Sequence, residues 1–379
     1  MSDKKQPIDS HVHLEIEPEI NKFFKAAVKN QASDLHLKAG QPPKLRMGHG
    51  IKSTHSEPLD EKKIEHLVFE ILSDKQKQFF LENGTLDFAY EFSTEDRFRV
   101  NIFRQRTKIS LAARRITSKI PPFESLHLPE MVKTIADTAH EGLVLVTGPT
   151  GCGKSTTLAS MLDHVNCTRS CHIITIEDPL EFVHKDKKAI VSQREIGIDV
   201  PDYGIALRSL MRQDPDVVLI GEMRDQETFT AAMRAAETGH LVFGTMHSAS
   251  ASQTIQRILD LFPQDERDLA RQTFSMSFKA IISQVILPSL KKESPRVPAV
   301  EILITNPIVR KLIADKRESE LDSVIKSCQN EGMQDFTESL RLLVESDWVD
   351  LKVALQNAPN VEELKMSLKG IRASAGAIL

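Results

Sequence analysis

The chain has 379 residues, which at about 150 residues per domain predicts two or three domains and excludes a single small one. Apolar residues make up 40% of the chain and charged residues 27%, so an intrinsically disordered protein is excluded. Lysine and arginine total 49 against 53 acidic residues, and the formal charge of −4 argues against a chain-wide surface for nucleic acid or membrane.

The sequence also lacks membrane-spanning and secretory signals. No apolar stretch approaches the ~18 residues that a transmembrane helix needs. The N-terminus, MSDKKQPIDSHVHLEIEPE, carries charges of both signs and no apolar segment, so we expect a cytoplasmic protein. The four cysteines, Cys152, Cys167, Cys171 and Cys328, are too few for a disulfide scaffold and are predicted to be reduced thiols.

Residues 1–116 are predicted to form a mixed α/β domain. Apolar residues recur at helical spacing over 19–30 and again over 60–80. Over 98–102 the period changes to two, because apolar residues alternate with polar ones that include Arg99. This alternation predicts a half-buried strand, and its polar face is basic.

Residues 117–128 contain two consecutive prolines and are predicted to be a linker between domains. The second domain is then 129–379. Its apolar runs predict strands at 143–147, 172–176, 217–220 and 241–245, separated by helices at 155–165, 203–212 and 226–236. Helical segments follow near 308–314, 321–330, 336–345 and 349–356. The alternation of strands and helices indicates an α/β fold with a mainly parallel sheet and a helical C-terminal tail.

The segment GPTGCGKS matches the phosphate-binding motif GxxxxGK[ST], and it lies between a predicted buried strand and a predicted helix. In that context the backbone N–H groups of the loop and of the helix N-terminus face a polyanion. Lys154 is expected to reach the β and γ phosphates, and Ser155 to supply a hydroxyl to Mg²⁺. The residues assigned to the nucleotide are Gly148, Pro149, Thr150, Gly151, Cys152, Gly153, Lys154, Ser155 and Thr156.

Acidic residues follow two other predicted strands. Glu222 ends the strand 217–220 after Gly221, where it is the candidate carboxylate for the metal. Many phosphate-loop enzymes carry an aspartate where this chain has Gly221. A second cluster, EDPLE at 177–181, closes the strand 172–176. Carboxylates at such strand ends face a ligand crevice and can polarise an attacking water, but the residues alone leave open which acid does so.

Two histidines, His240 and His247, bracket the strand 241–245. Considered singly, each is more often a structural histidine than a catalytic one. The strand follows Glu222 in the chain, so a γ-phosphate sensor could lie here. No compact Cys/His set accompanies these histidines, which argues against a metal centre.

Taken together, these segments resemble the secretion-ATPase superfamily, and most closely its PilT/PilU group of type IV pilus retraction motors. The matching text is GPTGCGKSTTLASM, ITIEDPLEFVH, VSQREIGID, LMRQDPDVVLIGEMRD and TGHLVFGTMHS. It extends into the first domain through SDLHLKAGQPPKLRMGHGI and RFRVNIF. This succession of motifs is far more specific than the phosphate loop alone.

The resemblance implies roles for particular residues. Glu181 falls in the Asp box as catalytic base, and Glu222 falls in an atypical Walker B in which glycine commonly precedes the glutamate. His240 and His247 fall in the His box. Two further residues, Arg99 and Arg114, align with arginines that approach the nucleotide phosphates. An arginine supplied to a γ-phosphate contributes ~10³ to 10⁵ in rate, although a polar face is expected on such a strand in any case.

The resemblance also implies a PAS-like N-terminal domain, a RecA-like ATPase domain and a homohexameric ring that uses ATP and Mg²⁺. Sequential hydrolysis would deform the ring against the inner-membrane platform protein and, through it, the pilin filament. A paralogous retraction ATPase is a further expected partner. The protein would be peripheral to the inner membrane and would not bind nucleic acid.

Extension ATPases usually carry an additional N-terminal domain, and many hold a four-cysteine zinc insert. We expect neither in this chain, which favours retraction over extension within the superfamily. Two features depart from the retraction motors. The segment 308–315 differs from the AIRNLIRE signature at several positions, and the N-terminus is longer than the usual start. The sequence leaves open an accessory PilU-like paralogue, a pilus assembly or secretion ATPase, a nucleic-acid translocase and a ring adaptor that binds ATP without hydrolysing it.

Overall fold

The computed structural model describes residues 17–48, 50–93, 96–117 and 119–370, so most of the predicted N-terminal extension lies outside the described residues. The described residues form two compact units. The first unit comprises the described residues up to 119 with 178–185 and 193–206, and the second comprises 120–177, 186–192 and those from 207 onward. The domain limits derived from the sequence stay a prediction.

The first unit contains an antiparallel sheet with helices packed on its apolar face. Its helices are α1 (Asn21–Lys29), α2 (Glu61–Phe69) and α3 (Asp74–Asn83), and its strands are β1 (Asp34–Lys38), β2 (Lys44–Met47), β3 (Gly50–Ser53), β4 (Thr85–Glu91), β5 (Asp96–Gln105) and β6 (Lys108–Thr117). The order across the sheet is β3-β2-β1-β6-β5-β4. The predicted alternation is confirmed, because Phe98, Val100 and Ile102 are buried on β5. Phe98 contacts Phe24 of α1 in the core, with ring centroids 4.6 Å apart.

The single helical stretch predicted over 60–80 is wrong, since the chain forms two helices there. Asp60 caps α2 by accepting a hydrogen bond from the backbone N–H of Lys63. Ser73 then caps α3 through a capping box with Gln76, in which each side chain accepts a hydrogen bond from the other residue's backbone N–H. The capping box satisfies amides that begin a helix, so the apolar period continues while the helix does not.

From residue 120 onward the chain alternates helices and strands. The helices are α4 (Phe123–Leu126), α5 (Glu130–Thr138), α6 (Lys154–Thr168), α7 (Tyr203–Leu210), α8 (Gln226–Glu237), α9 (Ala251–Asp260), α10 (Arg267–Ser277), α11 (Pro307–Ala314), α12 (Leu321–Ser327), α13 (Phe336–Glu345), α14 (Leu351–Asn357) and α15 (Val361–Leu368). The strands are β7 (Gly142–Thr147), β8 (His172–Glu177), β9 (Ile190–Glu195), β10 (Val217–Ile220), β11 (Leu241–Met246), β12 (Phe278–Pro288) and β13 (Arg296–Ile304). The short helix α4 lies inside the segment predicted to be a linker.

These strands form the mainly parallel sheet that the sequence predicts, in the order β13-β12-β7-β11-β10-β8-β9. The pairs β12·β7, β7·β11, β11·β10 and β10·β8 are parallel. Every residue of β7, β10 and β11 is buried, as expected for parallel strands covered on both faces. Because these strands run in one direction, their carboxyl ends lie along one edge of the sheet.

The sequence prediction missed eight elements in this region: α4, α5, β9, α9, α10, β12, β13 and α15. The antiparallel pair of β12 and β13 is long, with nine residues in register from Ala280 to Pro288. Most of β13 is buried, so its residues show no polar alternation. A continuous apolar run of this kind does not distinguish a strand from a buried helix.

None of the helices in the described part of the chain combines the length and apolar character that crossing a bilayer requires. All four cysteines are free thiols.

A buried carboxyl group ties β13 to the start of α9. Glu301 is 6% exposed, and it accepts a hydrogen bond of 2.7 Å from the backbone N–H of Ala251. Burial raises the pKa of Glu301 to about 7. The folded protein therefore binds a proton here more tightly than the unfolded chain, and the stability that this proton contributes is lost as the pH rises toward and through 7.

We expect Glu301→Gln to stabilise the protein at pH 8.5 and to have a much smaller effect at pH 5.5. The amide keeps an acceptor for Ala251 and removes the cost of a buried negative charge, which we put at about 1 to 3 kcal/mol. Thermal unfolding of the purified variant at both pH values measures this. The exposed Glu237→Gln is the matched control. An equal change in melting temperature at both pH values would contradict the prediction.

Candidate functional site

The loop between β7 and α6 has the backbone of a phosphate cradle. Gly151 and Gly153 have φ values of +80° and +88°, which residues with a side chain adopt only with strain. Backbone N–H groups in such a turn face a common centre and suit an anion. The helix α6 begins at Lys154, so its free N-terminal amides adjoin the same centre.

The ammonium group of Lys154 lies against this loop. Its Nζ donates hydrogen bonds to the carbonyl oxygens of Gly148 at 3.0 Å and Pro149 at 3.2 Å. It also lies 3.5 Å from Nδ1 of His247. A cation is therefore held beside the inward-facing amides, where it can pair with a bound polyphosphate.

The other loop residues differ in exposure. Pro149 and Thr150 are exposed, whereas Ser155 and Thr156 are half-buried in the first turn of α6. Cys152 is 3% exposed, and burial raises the pKa of its thiol. The sulfur is therefore a protonated packing group rather than a nucleophile.

Glu222 follows β10 and lies close to His247. One carboxylate oxygen is 3.3 Å from Nε2 of His247, and the other accepts a hydrogen bond from Arg224. The Arg224 hydrogen bond holds the pKa of Glu222 below its usual range, despite the opposing effect of burial. The carboxylate is thus ionised at neutral pH, and a polar connection runs from Lys154 through His247 to Glu222.

Close packing explains why glycine precedes Glu222. The N–H of Gly221 donates to the carbonyl oxygen of Ile176 on β8 at 2.8 Å. A Cβ at position 221 would lie 3.2 Å from Cα of Glu177 and 3.3 Å from that same carbonyl oxygen. These neighbours are backbone atoms of an interior strand, which cannot rotate away, so a side chain here would push β10 and Glu222 out of place.

The loop that carries His247 is held in place by hydrogen bonds with residues of α9. Arg257 of α9 donates a hydrogen bond to the His247 carbonyl oxygen. The hydroxyls of Ser248 and Thr254 are hydrogen-bonded at 2.6 Å, and both residues are buried. The Ala251 N–H at the start of α9 is the donor to Glu301. His247 therefore sits on an ordered turn at the end of β11.

The structure does not bring His240 to this site. His240 precedes β11, and its Nδ1 is 3.0 Å from both the Thr238 hydroxyl and the Ala235 carbonyl oxygen at the end of α8. His247 follows the opposite end of the same strand, and at about 3.3 Å per residue the two lie on the order of 20 Å apart. His240 has the contacts of a structural histidine, and its predicted catalytic role has no geometric support.

Arg99 and Arg114 are directly opposite each other on β5 and β6 of the first unit. Arg114 is 74% exposed and pairs with Asp34 at 3.0 Å. Arg99 is 38% exposed and lies 4.0 Å from Asp87. With Arg46, which pairs with Asp34 at 3.5 Å, these residues form a row across the polar face of the sheet, which we call the basic row. Like charges directly opposite destabilise a sheet.

Glu181 belongs to the first unit, whereas Lys154, Glu222 and His247 belong to the second. It follows β8 after the cis peptide bond between Asp178 and Pro179, and it is exposed. Its role as base stays a prediction.

Two arginines that contact the candidate site were absent from the sequence prediction. Arg224 pairs with Glu222 two residues away, and Arg257 anchors His247 from α9. The segment GEMRD contains the signal for Arg224, since a cation so close to the acid could have been expected to pair with it. Nothing in the local sequence indicates Arg257, because its contact depends on how α9 returns to the end of β11.

Comparisons with known proteins agree with this geometry. Residues 97–347 match the family described as type II/IV secretion system protein. The chain is 43% identical over 340 residues to the type IV pilus retraction ATPase PilT of Pseudomonas aeruginosa, covering 90% of this chain and 98% of that one. It is 40% identical over 322 residues to a twitching motility protein of Neisseria gonorrhoeae, covering 85% and 86% of the two chains.

A solved structure is also similar. The crystal structure of the pilus retraction motor PilT with bound ADP superimposes with a TM-score of 0.84 at 42% identity, covering 92% of this chain and 99% of that one. The chain therefore belongs to the type II/IV secretion system protein family and is an ATPase of the PilT-like kind. The resemblance and the fold class predicted from the sequence, an N-terminal domain with a RecA-like ATPase domain, are confirmed.

We expect Gly221→Ala to lower the ATP hydrolysis rate by ~10-fold or more, because Glu222 shifts when β10 is displaced. Overpacking at such a site also costs about 1 to 3 kcal/mol of stability. Steady-state phosphate release and thermal unfolding measure the two effects. Gly50→Ala is the control, since a Cβ there meets nothing within 4 Å. Wild-type hydrolysis by a folded Gly221→Ala protein would show that the spacing at Gly221 does not position Glu222.

Proposed function

We propose that this member of the type II/IV secretion system protein family is a hexameric, Mg²⁺-dependent ATP-hydrolysing motor that powers type IV pilus retraction. The observation that carries the proposal is the polar connection from Lys154 through His247 to Glu222, which lies beside the glycine loop. It supplies a cation, a histidine and an ionised carboxylate next to amides that suit a polyphosphate.

In this proposal the loop residues Gly148 to Thr156 bind the ATP phosphates, and Lys154 leaves its loop carbonyls to pair with the β and γ phosphates. Hydroxyl and carboxylate oxygens are the ligands that Mg²⁺ prefers, and Ser155 and Glu222 offer one of each. Mg²⁺, when bound, supplies positive charge against the β and γ phosphate oxygens. Glu222 would have to exchange part of its hydrogen bonding with Arg224 for this role.

Glu181 acts as the general base. It accepts a proton from a water whose oxygen attacks the γ-phosphorus, while the bond to the β–γ bridging oxygen breaks and ADP and phosphate leave. His247 contacts the γ-phosphate and couples its presence to Glu222. Arg99 and Arg114 of the basic row stabilise the charge on the transferred group, an effect that is worth ~10³ to 10⁵ in rate in other phosphate-loop enzymes.

The proposed chemistry uses residues of both compact units. In a homohexameric ring, closure at one such site can drive opening at another. We propose that the ring acts at the inner face of the bacterial inner membrane on the pilus platform protein and, through it, on the pilin filament. A paralogous retraction ATPase is the expected further partner. Nucleic acid is not a proposed ligand, since the formal charge of the chain is −4.

We expect purified Lys154→Ala to lose ATP binding and hydrolysis, because the cation for the phosphates is removed. Glu181→Gln should lose hydrolysis and keep ATP binding, because only the base is removed. Phosphate release and the affinity for a fluorescent ATP analogue separate these outcomes, with Lys133→Ala on α5 as the control. A Glu181→Gln protein with wild-type turnover would refute that residue as the base.

In cells, deletion of the gene should give hyperpiliated, non-motile bacteria that are rescued by the wild type and not by Lys154→Ala. The measurements are surface motility and pilus number. Bald cells would instead indicate pilus assembly, and unchanged piliation would indicate an accessory paralogue or another secretion system. Stimulation of the purified ATPase by DNA would favour a translocase, and absence of wild-type phosphate release would favour a ring adaptor.

We expect the purified protein to have the mass of a hexamer by light scattering at micromolar concentration with ATP present. A hexamer of this chain has six times the 42.5 kDa mass of one copy. Measurement of the Lys154→Ala variant beside the wild type tests whether ATP binding is required for assembly. A monomer of wild-type protein under these conditions would count against the ring mechanism.

A further inference from the structure

The buried glutamine Gln284 lies directly behind the phosphate loop. It is 1% exposed on β12, the strand that runs parallel to β7. Ser283 pairs with Thr147, the last residue of β7, and the Thr147 hydroxyl donates to the Ser283 hydroxyl at 2.9 Å. Gln284 therefore comes level with Gly148, where the loop begins.

Both polar atoms of the Gln284 side chain are engaged by the phosphate-loop region. Its Nε2 donates a hydrogen bond of 2.6 Å to the carbonyl oxygen of Cys152 in the loop. Its Oε1 accepts a hydrogen bond of 3.0 Å from the hydroxyl of Thr157 in the first turn of α6. Thr157 is also buried, so water cannot replace either hydrogen bond unless the surrounding side chains rearrange.

Two loop glycines make room for this contact. A Cβ at Gly148 would lie 2.3 Å from the backbone oxygen of Gln284, and a Cβ at Gly153 would lie 3.2 Å from its Nε2. The loop thus packs directly on the backbone and the side chain of Gln284.

The bond to Cys152 controls the direction of one phosphate-facing amide. The peptide unit that joins Cys152 to Gly153 is planar and trans, so its C=O and N–H groups point in opposite directions. Because the carbonyl is held toward Gln284, the N–H of Gly153 is held away from β12, on the concave side of the loop. The bond to Thr157 fixes the same side chain to the helix whose N-terminal amides complete the cradle.

The geometry points to Gln284 as a positioning residue for ATP binding, which orients the Cys152–Gly153 peptide and fixes the phosphate loop to α6. This inference rests on the phosphate loop being the nucleotide site of the proposed motor. It adds a residue 129 positions beyond the end of the loop motif at Ser155, on a strand that contributes nothing else to the candidate site among the described residues.

A primary amide is suited to this task because it offers one donor and one acceptor. A glutamate has nearly the same shape, but when ionised it is only an acceptor, and it would face the Cys152 carbonyl oxygen with a negative charge. When protonated, its O–H can donate to Cys152 while the other oxygen still accepts from Thr157. A leucine fills similar space and leaves both partners without a hydrogen bond.

We expect Gln284→Leu to weaken ATP binding and to lower kcat/KM by ~10- to 100-fold, because a phosphate-facing amide is misplaced. Gln284→Glu should show a comparable defect at pH 8.5 that diminishes several-fold at pH 5.5, relative to wild type at each pH. The measurements are the affinity for a fluorescent ATP analogue and steady-state phosphate release. Because a role confined to folding would also recover at low pH, both assays use protein that thermal unfolding shows to be folded at the assay temperature at each pH, where such a role would leave the ATP affinity unchanged.

The control is Asn166→Asp, which replaces a fully buried amide at the far end of α6 by its acid. It is expected to lower the melting temperature without the selective loss of ATP affinity. If Gln284→Leu does not fold, Thr157→Val tests the other half of the contact, with Thr157→Ser as the variant that keeps the hydroxyl. Valine should weaken ATP binding and serine should restore most of it.

The outcomes distinguish this inference from the proposed function. If wild-type protein hydrolyses ATP and folded Gln284→Leu binds and hydrolyses it equally well, the inference is wrong and the motor stands. A Gln284→Glu protein that parallels the wild type at both pH values would overturn the inference in the same way. If wild-type protein binds no ATP at all, the proposed function fails first.

Discussion

A loop that binds a polyphosphate must turn several backbone N–H groups toward one point, and the centre of the second unit is built around this requirement. The carbonyls of the same peptides then face outward into packed protein, where they need donors. Gln284 meets that need for Cys152, and the hydroxyl of Thr157 in turn donates to Gln284. The glycines at 148 and 153 are required for the same reason, since a side chain at either would collide with the strand that supplies the donor.

Near the phosphate loop, Lys154 and Glu222 do not form a direct ion pair with each other. Lys154 brings the positive charge that an incoming polyphosphate needs, and its Nζ donates hydrogen bonds to uncharged carbonyl oxygens of the loop. The pKa of Glu222 is held below its usual range mainly by the hydrogen bond from Arg224, with a smaller contribution from Lys154. His247 lies between the Glu222 carboxylate and Nζ of Lys154. If Lys154 and Glu222 formed a direct ion pair, that pair would have to break before Lys154 could bind the phosphates.

The sequence predicts those parts of the site that depend on local pattern. The glycine loop is contiguous, and Glu222 and His247 are adjacent because parallel strands end at the same edge. His240 shows the limit of this reasoning, because it belongs to the same motif and strand as His247 and lies at the wrong end. Gln284 and Arg257 could not be found, since their roles arise from contacts between segments far apart in the chain. The break between α2 and α3 was missed because apolar periodicity continues across a capping box.

The basic row of the first unit destabilises its sheet, because like charges lie directly opposite each other. An uncharged polar strand face would not have this effect. Polar residues without charge would keep such a face wet, yet Arg99 and Arg114 are placed directly opposite each other, and Asp34 is shared between Arg114 and Arg46. Three guanidinium groups with two nearby carboxylates, those of Asp34 and Asp87, leave an excess of positive charge that an anion would relieve.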